Sequence, residues 1–233
     1  MSPQSLHEIF QASRYPGRIV VWARTLDGVT CGGYVLTGRT PASQARALRL
    51  TGQELVVGPT SPAPNDPLRH YVAAARRGDW LVYGNGEQVA TVADRLQEGQ
   101  PPTVALDELE YEPDPPIFTP RITVIAGSAA QAWFGAARRS LSDRTTTNLL
   151  TLSVRDLAPG DAVLMTTYRS DGEHPVTGEP FVEAVTEAAD QHELLDELWD
   201  SLDPRFRVAA ATFTPHGLAE AALRHRADGR DVA

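Results

Sequence analysis

The chain has 233 residues, 42% hydrophobic and 22% charged, enough to bury a sizeable core in one large domain or two small ones. A net charge of −9 at pH 7 argues against a general nucleic-acid binder, and no apolar run approaches the roughly 20 residues of a membrane span. All 21 basic residues are arginine, which excludes lysine Schiff-base chemistry and a lysine-bearing phosphate loop, so a bound phosphate must meet arginine forks, backbone amides or a helix N-terminus.

In chain order, the N-terminus lacks the pattern of a signal peptide, so a cytoplasmic location is expected. Residues 18–24 and 29–37 predict two strands joined through Leu26-Asp27-Gly28, because Asp-Gly between apolar runs favours a hairpin. Gly32-Gly33 inside the second strand predicts a bulge or a close backbone approach. Cys31 is the only cysteine, so no intrachain disulfide or cysteine-based zinc cluster can form, and it reads as a small core residue. Residues 58–67 read as a proline-rich loop and 68–77 as a short helix. Residues 80–83 and 88–92 read as a strand pair around Gly84-Asn85-Gly86-Glu87, and 92–97 as a short helix ending at Gly99.

Residues 111–121, Tyr111-Glu112-Pro113-Asp114-Pro115-Pro116-Ile117-Phe118-Thr119-Pro120-Arg121, hold four prolines in eleven positions. Each ring fixes φ and restricts the residue before it, so the segment is extended and stiff, neither a helix nor a central strand. It is either a rigid linker or a loop that delivers a carboxylate and a guanidinium to a strand end. Further strands are predicted at 121–126, 131–138, 148–154, 162–168 and 206–213. A helix is predicted at 191–202, with Asp190 as N-cap, Glu193 at the capping-box position, and Leu194, Leu195, Leu198, Trp199 and Leu202 on one face. Residues 224–233 read as a polar, frayed tail. Strands paired by local hairpins with a few helices outside them predict an α+β layered fold, taken as a single domain with its core over roughly 15–215.

The proline-rich segment resembles the signature of the IMP cyclohydrolase family of the stand-alone archaeal and bacterial type. The resemblance extends, in order, to Tyr15-Pro16-Gly17-Arg18, Gly38-Arg39-Thr40 with Arg46, Tyr71, Asn85-Gly86, Thr167-Tyr168 and Gly178-Glu179-Pro180. It implies the four-layer αββα sandwich of N-terminal-nucleophile hydrolases, used without autoprocessing. In keeping with this, Ser13, followed by Arg14-Tyr15-Pro16, does not look like the start of a nucleophilic strand. The implied activity closes the last ring of purine biosynthesis: a formamido-imidazole carboxamide ribonucleotide loses water to give inosine monophosphate. No metal or cofactor is required.

The resemblance assigns proton transfer to Glu112, with Glu110 and Asp114 as alternatives. It makes Tyr71 a donor to the formyl oxygen or leaving hydroxyl, and Arg39 an oxyanion or carboxamide partner. Arg18, Arg46 and Arg121 are phosphate candidates, since planar forks suit phosphate oxygens. Asn85, Gly86 and Tyr168 line the ligand. The plain alternatives are a surface carboxylate for Glu112, an aromatic on a helix for Tyr71 and an ordinary turn for Asn85-Gly86. The chain departs from the family pattern at Gln44, Ala45, Val72 and Ile117, and each departure loses a possible hydrogen bond near the ligand. The alternative is a paralogue acting on a related carboxamide nucleotide or nucleoside, or a non-catalytic nucleotide-binding protein on the same scaffold. The expected partner is a small ribonucleotide, with no nucleic acid or membrane, and a homo-oligomer is left open.

Overall fold

The computed structural model describes residues 3–64, 66–127, 130–142, 145–171, 174–177 and 181–226. Strand β1 (Gln4–Ser5) and helix α1 (Leu6–Ala12) lead into β2 (Arg18–Arg24) and β3 (Thr30–Thr37). Helix α2 (Pro41–Gln44) precedes β4 (Arg46–Thr51), β5 (Glu54–Pro59), β6 (Tyr71–Arg77) and β7 (Trp80–Gly84). Helices α3 (Gln88–Gln97) and α4 (Pro102–Ala105) come next, then β8 (Arg121–Ala126), β9 (Ala132–Arg139), β10 (Thr147–Val154), β11 (Asp161–Thr166) and β12 (Phe181–Val185). Helix α5 (Gln191–Ser201), β13 (Arg207–Thr214) and β14 (Gly217–His225) complete the described chain.

The fold is mixed α+β, with two large sheets and few helices. One seven-stranded sheet has the order β1-β12-β11-β2-β3-β13-β14, and the other the order β10-β9-β8-β7-β6-β5-β4. The second is an antiparallel meander whose strands pair in chain order, interrupted only by α3 and α4 between β7 and β8.

Three apolar clusters hold these elements. Val20, Trp22, Tyr34 and Leu36 of the first sheet pack with Leu55, Val57, Tyr83, Val124 and Phe134 of the second, so the facing sides of the two sheets share one core. The strand alternation puts Ile19, Val21, Ala23 and Val35 on the other face of the first sheet, with Leu6, Ile9 and Phe10 of α1 and Leu194, Leu198 and Trp199 of α5. Val82 and Ile125 likewise meet Val89, Val92, Ala93 and Leu96 of α3. Among the described residues no helix is long and apolar enough to cross a membrane.

The hairpin of β2 and β3 forms with Asp27 and Gly28 in its turn, Gly28 at φ +84°. Gly32 and Gly33 stay in regular register, and a side chain on Gly32 would lie 2.5 Å from the Phe213 ring, so the pair permits a close approach and makes no bulge. Cys31 is fully buried, and burial pushes its thiol up to about 12. Asp190 caps α5 through the amides of His192 and Glu193, while Glu193 reaches past the cap to the amide of Ala189.

Two sequence expectations are corrected. Residues 68–77 do not form a helix: the helical tendency ends in one turn, where His70 N–H donates to Asp66 O, and Tyr71–Arg77 is a strand between β5 and β7. Ala73, Ala74 and Ala75 are good helix formers, but burial on both faces of a sheet overrides local propensity. Residues 88–92 are the first half of α3 and not a strand; Val89, Val92, Ala93 and Leu96 recur at helical spacing, and β7 pairs with β6 and β8 instead. At the C-terminus, residues 224 and 225, expected at the start of the tail, close strand β14, and 227–233 lie outside the described residues.

Candidate active site

The strand directions bring most of the candidate residues to one end of the two sheets. Arg18, Arg46, Tyr71 and Arg121 are the first residues of β2, β4, β6 and β8, and Asn85 directly follows β7. The ends of β3 and β11 lie beside the start of β2, because Arg18 pairs with Leu36 and Ile19 with Thr166. Gly17 locks that corner: its carbonyl accepts from Thr37 Oγ1 at 2.6 Å, and Arg18 N–H donates to Thr167 Oγ1 at 3.0 Å. At φ +76°, Gly17 would place a Cβ 2.1 Å from Thr167 Oγ1 and 2.5 Å from the Tyr168 ring. Gly17→Ala is therefore expected to cost on the order of 1–3 kcal/mol, read as a lower midpoint in urea unfolding with an unchanged slope.

At the centre is a buried ion pair between the Arg18 guanidinium and Glu112 Oε1, with Arg18 8% and Glu112 3% exposed. Asn85 Nδ2 donates to the same Oε1 at 2.9 Å and to Pro120 O at 2.9 Å. The orientation of the Asn85 amide is fixed by its oxygen, which accepts from Ile122 N–H at 2.6 Å and from Gln88 Nε2 at 3.3 Å. Glu112 Oε2 takes no hydrogen bond among the described residues. The proline-rich loop holds Glu112 in place: Glu112 N–H donates to Thr119 O, and the Asp114 carboxylate accepts from Thr119 N–H at 2.6 Å and from its hydroxyl. Thr119 Oγ1 also pairs with the Tyr168 hydroxyl.

Aromatic groups form the rest. Tyr34 and Tyr71 share a hydroxyl–hydroxyl bond of 2.7 Å between the two sheets. Tyr15 stacks on Tyr168 with ring centres 5.7 Å apart, and the Arg39 guanidinium lies 5.4 Å from the Tyr15 ring centre. Arg46 is almost fully buried, donating to Ser43 O at 2.7 Å and Thr37 O at 3.0 Å.

Burial pushes the Glu112 carboxyl above its ordinary range, and Arg18 beside it opposes part of that rise. Burial works against the charge on Arg18 as well, but Glu112, helped by Tyr168, Tyr71 and Tyr34, reverses this and holds Arg18 protonated. Burial lowers the pKa of Arg46; Tyr71 offsets part of this and the like charge of Arg18 adds to it. The cluster buries the two guanidinium groups of Arg18 and Arg46 against the single buried carboxylate of Glu112, a balance of charge that favours an anion. Among the described residues no group of three or more His, Cys, Asp or Glu side chains could hold a metal ion.

Residues 15–217 match the family described as IMP cyclohydrolase-like protein. The chain belongs to this family. An IMP cyclohydrolase of Natronomonas pharaonis is 40% identical over 92 residues, covering 36% of this chain and 47%, about half, of that protein. The IMP cyclohydrolase of Haloquadratum walsbyi is 29% identical over 212 residues, covering 88% of this chain and 93% of the relative. That of Methanothrix thermoacetophila is 28% identical over 171 residues, covering 71% and 79%.

Within this IMP cyclohydrolase-like chain, Arg18, Glu112 and Asn85 are in direct contact, and Tyr71, Arg46 and Tyr168 act electrostatically on Arg18 or one another. Arg121 turns to Glu87, with Nη2 2.8 Å from its carboxylate, and Arg39 is drawn over Tyr15. A Cβ on Gly86 would lie 2.6 Å from Gln88 Oε1, so a side chain there would require the Gln88 amide to shift. Gly178, Glu179 and Pro180 lie outside the described residues. Sequence reasoning missed Tyr34, Gln88 and Thr119. Thr119 sits inside the signature loop, and Gln88 follows Asn85 by three residues, whereas nothing local marks Tyr34 within the apolar run of β3.

Proposed function

We propose that the protein is an IMP cyclohydrolase of purine biosynthesis, closing a formamido-imidazole carboxamide ribonucleotide to inosine monophosphate. Family membership and the names of its relatives support this activity. The observation that carries it to the residues is the buried carboxylate of Glu112, bound on one oxygen by Arg18 and Asn85 with the other oxygen unbonded among the described residues. In ring closure the carboxamide nitrogen attacks the formyl carbon, forming a C–N bond. The carbinolamine then loses its oxygen as water, so two N–H protons travel from nitrogen to oxygen.

In this reading Glu112 Oε2 takes the first proton from the carboxamide. Tyr71 donates to the formyl oxygen, regains a proton from Glu112, and donates again to the leaving hydroxyl, after which the formamido N–H proton restores it and water departs. Arg39 neutralises charge developing on oxygen. Arg46 and Arg121 bind the phosphate, Tyr168 stacks against the ligand and Asn85-Gly86 borders it. Arg18 takes a different part from a free phosphate anchor, since its guanidinium already holds Glu112. Both reacting groups belong to one molecule, so most of the entropy of encounter is already lost, and the enzyme has to rotate them together and move protons.

The three apolar clusters support the four-layer αββα arrangement in one domain, α1 and α5 outside the first sheet and α3 and α4 outside the second. A cytoplasmic setting and a small anionic substrate fit this reading, and homo-oligomerisation is compatible with it. Incubation with the formylated ribonucleotide, followed by the absorbance of inosine monophosphate, tests the activity directly. A rate no higher than the spontaneous one would sink it.

A further inference from the structure

The Tyr34–Tyr71 pair carries information about direction. Either hydroxyl could donate across their 2.7 Å bond. Whichever does, the other phenol is left with a proton that needs an acceptor of its own. Tyr34 is fully enclosed, 0% exposed, among Trp22, Leu36 and Phe213 of the shared core, and among the described residues its hydroxyl has no hydrogen-bond partner besides Tyr71. If Tyr71 were the donor, the proton of Tyr34 would be stranded, since the charged groups that act on Tyr34, Arg18 and Arg46, carry donors only, and it would bear the full cost of an unmade buried hydrogen bond. The other direction avoids this. Tyr71 is 6% exposed, at the first position of β6 where the strand ends gather. The cations that act on it, Arg18 and Arg46, carry donors only, so neither can accept its proton.

We propose that Tyr34 is a positioning residue that donates its hydroxyl proton to Tyr71 and thereby commits the Tyr71 proton to the reacting oxygen of the ligand. This rests on the cyclohydrolase reading above and deepens it. Tyr34 never touches substrate; it removes the one internal acceptor that would otherwise hold the Tyr71 proton, and polarises the Tyr71 hydroxyl by donating into it. The two tyrosines stand on opposite sheets, so the same bond fixes the donor relative to Arg18 on β2.

The test is a double-mutant cycle of Tyr34→Phe and Tyr71→Phe on the full chain, with kcat and KM for the formylated ribonucleotide measured separately. Tyr71→Phe is expected to lower kcat about 100-fold, and Tyr34→Phe about 10-fold, with KM changed less than about three-fold in each. In the Tyr71→Phe background, Tyr34→Phe should add less than about a two-fold further loss, because the group it works through is gone. A general loss of packing or folding would act equally in both backgrounds. If wild-type enzyme turns over and the two losses multiply, or if Tyr34→Phe keeps full kcat, the positioning role is overturned while the activity stands. Absence of turnover in the wild-type chain overturns the cyclohydrolase reading and this role with it.

Discussion

Glu112→Gln is expected to lower kcat by about 10²–10⁴-fold, the usual contribution of a positioned acid–base group, with KM little changed. Glutamine keeps an oxygen for Arg18 and Asn85 to donate to, so the loop and the strand ends should hold their arrangement while the proton acceptor is lost. The pH dependence has a definite sign. A carboxylate that must be ionised to accept a proton gives activity that rises with pH through its pKa in the folded protein. Burial lifts that pKa above the ordinary 4.5, with Arg18 limiting the rise, so the acidic limb of the kcat profile should lie above the usual carboxylate range. In Glu112→Gln the limb should vanish together with the rate. A variant that keeps the limb would move proton acceptance to another group.

The fold was legible wherever the pattern was local. The strands at 121–126, 148–154 and 206–213 and helix α5 stand within a residue or two of their expected bounds, because short apolar runs and the Asp190 cap specify them without help from distant residues. Helix α1 also carries a local signal: Ser5-Leu6-His7-Glu8 is a capping box, completed by Ser5 N–H donating to Glu8 at 2.8 Å, and it precedes the buried pair Ile9 and Phe10. The β6 strand was not legible. An alanine-rich run with an arginine pair suits a helix, and only its pairing with β5 and β7 decides otherwise.

The site divides in the same way. The prolines of the signature loop mark Glu112 as held in place, and Gly17 beside Arg18 marks a tight corner. The contact that defines the centre, Arg18 with Glu112, spans 94 positions, and Tyr34 meets Tyr71 across 37. Neither pairing leaves a periodic trace, since each is made by two sheets closing on each other. A buried tyrosine in an apolar strand looks the same in sequence whether its hydroxyl supports chemistry or only packing.

Arg18→Met is expected to lose both stability and rate, and the two losses should share one pH dependence. Methionine keeps the length and apolar bulk of the stem but removes the charge that Glu112 faces. Breaking a buried ion pair by removing one partner costs about 3–5 kcal/mol, because the remaining charge is left desolvated; for a chain of this size that is a fall in Tm of roughly 10 °C. Glu112 escapes part of this by taking up a proton. Without Arg18, the effect that opposes burial is gone, so its pKa rises further above the ordinary range. A carboxyl with a raised folded pKa binds its proton more tightly folded than unfolded, so its stabilising proton is lost as pH rises through that pKa. The deficit against wild type should therefore be small near pH 4.5, where Glu112 is protonated in the variant, and grow toward neutrality. Activity should follow the ionised form, with the acidic limb of kcat displaced to higher pH and the rate at pH 7 reduced accordingly. Urea unfolding at a series of pH values, paired with the kcat profile, reads both quantities on the same protein. A deficit that is constant with pH, or a limb that stays where wild type has it, would mean that Arg18 does not govern the charge on Glu112, and its place would then be that of a direct phosphate ligand.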